Sequence, residues 1–101
     1  MIKRQGDVLV LKVKGMPEGA AKKDNLVLAE GEATGHLHEL NAGELYEKSG
    51  TLYFKVPEGT AADLVHPEHN TVTFEPGTYK VIHQREYEPS TWKQPWRRVS
   101  D

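Results

Sequence analysis

The stretch Glu44-Leu45-Tyr46-Glu47-Lys48-Ser49-Gly50-Thr51-Leu52-Tyr53-Phe54-Lys55-Val56 decides the fold class. Two short runs rich in Leu, Tyr, Thr and Val flank a Ser-Gly pair, and glycine accepts the positive φ that a tight reversal demands. Runs of this length and residue usage, bounded by turn residues, read as strands. The same grammar extends outward in both directions. Further turn signals stand at Pro17-Glu18-Gly19, Asn41-Ala42-Gly43, Pro57-Glu58-Gly59 and Glu75-Pro76-Gly77, drawing on the nine Gly and six Pro of the chain. Between the turns, strands are predicted over Asp7 to Lys14, Leu26 to Glu30, Gly35 to Leu40, Glu44 to Lys48, Thr51 to Val56, Thr71 to Phe74 and Thr78 to Tyr87. The expectation is an all-β domain, a small barrel or sandwich of about seven strands. No capped segment of period 3.6 is long enough for a regular helix, although Ala20 to Asp24 and Thr60 to Leu64 each read as one helical turn. The Pro-Glu pairs at residues 17, 57 and 67 have unlike flanks, so they are recurring turn chemistry and not an internal repeat.

With 101 residues the chain is long enough for one domain with one core, and small enough that oligomerisation would add useful burial. The domain is placed at residues 1–87 and a C-terminal tail at 88–101. That tail holds Pro89 and Pro95, both tryptophans (Trp92 and Trp96) and the basic residues Lys93, Arg97 and Arg98. Two free indoles would expose a large apolar area, so the tail is expected to dock on its own domain or on a neighbouring subunit. Thirteen basic and fifteen acidic residues leave a net charge of −2, with no long block of either sign. This argues against nucleic acid and membrane surfaces as partners. The absence of cysteine removes disulfides, thiolate catalysis and zinc fingers, and fits a reducing compartment. The N-terminus lacks the pattern of a signal peptide, and nothing approaches the ~20 apolar residues of a membrane span, so a cytoplasmic location is expected.

Four of the five histidines fall in two clusters, His36-Leu37-His38 and His66-Pro67-Glu68-His69. On a strand, the period of two sends His36, His38 and Leu40 to one face, with the imidazoles about 7 Å apart, a spacing suited to chelating one ion. Pro67 forces a turn, so His66 and His69 are expected to converge from opposite sides of a bend. In a chain without thiols, imidazole and carboxylate are the strong ligands for a transition ion. The candidate ligands are therefore His36, His38, His66 and His69, with Glu68, Glu44 and His83 as secondary candidates. Zinc leads, followed by nickel and iron, because hard cations prefer all-oxygen shells. Glu39, Glu44, Asp63 and Glu86 are carboxylates that spacing does not single out for catalysis. No nucleophile elbow, phosphate-binding glycine loop or Ser-His-Asp pattern is present, and the catalytic residues are left unassigned.

Two resemblances follow from these motifs. Over residues 31–70, Gly31-x4-His36-x-His38-x5-Glu44-x5-Gly50, with Pro57-x-Gly59 and His66-x3-Asn70, resembles the two cupin motifs in a looser spacing. That resemblance implies a small jelly roll in which His36, His38 and His66 hold a metal and Glu44 is a fourth ligand. Over most of the chain, the segments Gln5 to Val8, Thr34 to His38, His66 to His69, Pro76 to Tyr79 and Gln84 to Tyr87 are similar to a group of small bacterial and phage proteins. This second likeness carries no activity with it.

Three functions remain in competition. The leading one is a metal-binding β-protein with a structural, assembly or binding role in a homo-oligomer. The second is a cupin-type metalloenzyme, a dioxygenase, isomerase or hydrolase. The third is a metal-free interaction module that meets a protein partner through Trp92 and Trp96. Four protein ligands on one ion would close the site and favour structure, whereas three would leave a position for water or substrate.

Overall fold

In the computed structural model, residues 2–30 and 36–83 are described. The segment around Ser49 and Gly50 forms the predicted reversal. Both residues hold positive φ, 51° and 79°, the signature of a two-residue turn whose twist matches that of the strands it joins. It connects β6 (Glu44–Lys48) to β7 (Thr51–Val56) with Lys48 opposite Thr51 and Glu44 opposite Lys55. This register sets Leu45 against Phe54 on the inner face, and both are fully buried. Tyr46 faces Tyr53 on the outer face.

The remaining strands are β1 (Ile2–Gln5), β2 (Val8–Val13), β3 (Ala21–Lys22), β4 (Val27–Glu30), β5 (Leu37–Leu40), β8 (Ala62–His66), β9 (His69–Phe74) and β10 (Gly77–His83). All pairings are antiparallel and build two sheets, one ordered β1-β2-β10-β7-β6-β3 and the other β4-β5-β8-β9. The fold is all-β, and of the two predicted forms it is the sandwich and not the closed barrel. The six-stranded sheet turns Val8, Val10, Leu45, Phe54, Val56, Tyr79 and Val81 inward, and the four-stranded sheet answers with Leu28, Leu40, Ala62, Leu64 and Phe74. Alternation along each strand puts these residues on one face. At the centre three rings meet: Phe54 lies 5.2 Å from Phe74 edge-on and 4.9 Å from Tyr79 stacked. The Tyr79 hydroxyl donates to the Glu75 carbonyl at 2.6 Å, so the buried ring brings no unsatisfied polar group into the core.

The described residues contain ten strands where about seven were expected. Thr60 to Leu64 is not a helical turn. A turn closes at Pro57, whose carbonyl accepts from the Thr60 amide and hydroxyl, and the chain then extends as β8. Ala62, Leu64 and His66 are buried on alternate positions, and this period-two burial outweighs any local helical tendency. Ala20 to Asp24 is not helical either: Ala21 and Lys22 pair with Glu47 and Tyr46, and the Lys23 amide donates to the Leu45 carbonyl. β1 escaped prediction because three of its four residues are polar and its apolar residue, Ile2, is 62% exposed. It is an edge strand, linked to the far sheet by Lys3, which donates to the Thr73 carbonyl. Among the described residues no helix is long and apolar enough to cross a membrane. The tail at 88–101 and the end of the last predicted strand, 84–87, lie outside the described residues.

Candidate metal centre

Strand geometry brings the two histidine clusters together. β5 pairs with β8 through Glu39–Val65 and Leu40–Leu64, and continuing that register by one step sets His38 beside His66. β8 turns into β9 over Pro67 and Glu68, and a register shift between Leu64 and His66 leaves His66 directly opposite His69. Without that irregularity, the Leu64–Val72 pairing would carry His66 to Asn70. A bulge of this kind re-aims a side chain at a sheet's rim. The ring centroids are 4.3 Å apart for His38 and His66, 4.5 Å for His66 and His69, and 5.6 Å for His38 and His69. One nitrogen from each ring lies within 4.8 Å of the others, and among the described residues these three form the group suited to an ion. A tetrahedral zinc with nitrogens at 2.0–2.1 Å asks for about 3.3 Å between ligand atoms, so modest ring rotation would close the set.

His38 and His66 are buried and His69 is exposed, so the cluster is walled on one side and open on the other. The wall is the β1–β2 turn. Gly6 there holds φ at 59°, and a Cβ at that position would fall 2.9 Å from His69 Nε2 and 3.3 Å from His38 Cε1. Only a hydrogen fits between this backbone and the rings. Next to it Gln5, 3% exposed, places its Oε1 at 2.8 Å from His38 Nδ1 and donates from Nε2 to the Leu64 and Asn70 carbonyls, each at 2.8 Å. His66 Nδ1 accepts from the Glu68 amide at 3.0 Å. Sequence reading missed Gln5 and Gly6 as site residues. Their only signal was the Gln-Gly-Asp-Val segment, noted as part of a resemblance and not as chemistry.

The other candidates are placed apart. His36 precedes β5, with its ring 5.7 Å from His66 edge-on and its Nδ1 3.7 Å from Glu68 Oε1, at the rim of the trio but outside it. The secondary candidate Glu68 is at the turn, well exposed. Glu44 belongs to the six-stranded sheet, where it accepts from the Tyr46 hydroxyl at 2.8 Å and faces Lys22 at 3.9 Å. His83 donates from Nε2 to the Leu28 carbonyl at 2.9 Å. The set implied by the cupin resemblance, His36, His38, His66 and Glu44, is therefore not the one that converges. His69 joins His38 and His66 in its place.

Burial lowers the His38 pKa from 6.5 to about 4, reinforced by His66 and His69 and opposed by Asp7. Burial, then His69 and His36, lowers that of His66 as well, with Glu68 opposing. Both shifts favour the neutral imidazole at pH 7, the form a metal requires. The lone pair of neutral His66 is on the Nδ1 that accepts from the Glu68 amide, so an ion would take that position from the amide or take Nε2 after a change of tautomer. The consequence for the ion-free protein is directional. Between pH 6.5 and about 4 the unfolded chain binds a proton at residue 38 that the folded chain refuses, so stability falls on acidification through that window and levels off below it. At about 1.4 kcal/mol per unit over about 2.5 units, His38 contributes at most about 3.5 kcal/mol to this loss. Urea unfolding in the presence of EDTA at pH 7.5, 5.5 and 4.5 measures it, and a His38→Ala protein should show a flatter profile.

The fold and the cluster together define a two-sheet antiparallel β-sandwich with a three-histidine site at the junction of β5 and the β8–β9 hairpin. The chain belongs to the family described as Domain of unknown function (DUF8820), whose model matches residues 4–84. No curated protein and no solved structure matches the chain.

Proposed function

We propose that this chain binds one divalent transition ion through His38, His66 and His69, zinc first, with nickel or iron as alternatives. The observation that supports it most is the convergence of three imidazoles from three strands within 4.8 Å, two of them buried and held neutral. Half-buried His83 gives its Nε2 hydrogen to the Leu28 carbonyl, whereas the rings of His38, His66 and His69 face one another, with centroids 4.3–5.6 Å apart. The exposed flank at His69 leaves the fourth coordination position for water or an oxygen donor, the arrangement of sites that act on a bound ligand. Such an ion supplies Lewis acidity and lowers the pKa of a bound water. A second reading rests on His36, whose ring stands 5.7 Å from His66: turned inward it would be a fourth ligand and close a structural site, including one that reinforces an oligomer.

Metal content of the untagged protein, by inductively coupled plasma mass spectrometry, is expected to reach one ion per chain. Cobalt-substituted protein is expected to change its visible spectrum on adding azide, which needs an exchangeable position. An unresponsive spectrum, with EDTA lowering the melting temperature or splitting an oligomer by light scattering, would establish the closed structural reading. No ion at any stoichiometry would remove metal binding altogether.

A further inference from the structure

The geometry points to Gln5 as the positioning residue of this site: its side-chain amide fixes the His38 ring in the tautomer that carries its proton on Nδ1 and leaves the lone pair on Nε2 for a metal. The inference rests on the metal-binding reading for its purpose but not for its geometry.

A glutamine amide offers two N–H donors and one carbonyl acceptor. Here both donors are committed, since Nε2 lies 2.8 Å from the Leu64 carbonyl and 2.8 Å from the Asn70 carbonyl, and neither partner can donate in return. The flipped amide would set its oxygen against two carbonyl oxygens. Orientation is thereby decided by the network, as it must be for amides and imidazoles. Oε1 then faces His38 Nδ1 at 2.8 Å as an acceptor only, so Nδ1 carries the hydrogen and Nε2 holds the lone pair. Partners of this kind orient the imidazole and raise its basicity in metal sites.

The same amide also bonds the backbone of the hairpin that carries His66 and His69. Leu64 and Asn70 bracket the hairpin tip that carries His66 and His69, so one side chain from β1 fixes the His38 ring and ties its strand to the hairpin opposite. A residue needed only to join the two sheets would use the donors alone. Gln5 spends its acceptor on the imidazole, and at 3% exposure water does not compete for that bond.

Gln5→Met keeps the length and removes every hydrogen bond, whereas Gln5→Glu retains an acceptor for Nδ1–H and, if protonated, one donor. Ring 15N shifts of His38 in metal-free protein are expected to report Nδ1–H in the native chain and in Gln5→Glu, and a mixture of tautomers in Gln5→Met. Zinc affinity by chelator competition is expected to fall about 10–100-fold in Gln5→Met and less in Gln5→Glu, even if both melt lower. An unchanged tautomer in Gln5→Met, or losses of affinity that simply follow the melting temperatures of the two variants, would overturn the inference. If the native protein binds none of zinc, nickel or iron, the metal-binding reading fails by itself, while the tautomer measurement still decides whether Gln5 orients His38.

Discussion

Phe54→Ala is expected to lower unfolding free energy by about 3–5 kcal/mol, a large share of the about 5–15 kcal/mol that such a domain has to lose. Phe54 is fully buried and makes the contact that joins the sheets, meeting Phe74 of the four-stranded sheet at 5.2 Å and stacking on Tyr79 of its own at 4.9 Å. Truncation removes both ring contacts and leaves a cavity walled by strands that cannot collapse without breaking register. Leu45, its cross-strand neighbour, would lose packing on one side as well. The matched control is Ile2→Ala. Ile2 is also apolar and on a strand, but it is 62% exposed on the edge strand β1, and its removal is expected to stay within about 0.5 kcal/mol. Urea unfolding of the two variants with unchanged m-values measures the difference. Equal losses would mean that the three-ring centre is not where the sandwich is held.

Turn chemistry carried most of the fold into view, because Ser49-Gly50 and the Pro-Gly turns punctuate strands whose buried residues are plainly apolar. The strands that escaped detection escaped for identifiable reasons. β1 presents one buried residue and it is Gln5, a polar side chain that pattern reading assigns to solvent. β3 is two exposed residues whose extension follows from pairing with β6 and from nothing local. β8 mixes Ala62, Asp63 and His66 into a strand, and the burial of His66 becomes intelligible only once its neighbours across the sheet are known. The site was half legible for a related reason. His38, His66 and His69 were visible as ligand types at suitable spacings, but the pairing that joins β5 to β8 and the register shift before His66 are tertiary facts. The period-two argument placed His38 and Leu40 correctly on the buried face. It carried His36 along with them, and the strand begins only at Leu37, so His36 is released to the rim.

His38→Ala is expected to weaken zinc binding by more than about 100-fold, beyond the 10–100-fold typical of losing an outer partner of a metal ligand. His66 and His69 face each other across one hairpin, and a pair on one hairpin cannot by itself supply three sides of a tetrahedron. His38 comes from β5 on the other side of β8 and its ring is hydrogen-bonded to Gln5, so of the three proposed ligands it is the one whose position owes least to the hairpin. Two further substitutions give the result its meaning. His83→Ala removes an imidazole that donates to the Leu28 carbonyl; it is expected to cost about 1 kcal/mol of stability and leave zinc affinity within about threefold. His36→Ala separates the open site from the closed one. With three ligands and an exchangeable position, its loss should change affinity less than about tenfold, since the ring stands outside the trio. With four, it should approach the loss seen for His38→Ala. Competition against a chromophoric chelator at pH 7.5 reads all three variants on one scale. Native-like affinity in His38→Ala would remove the strand-borne ligand from the site, and with it the reason for a metal at this junction.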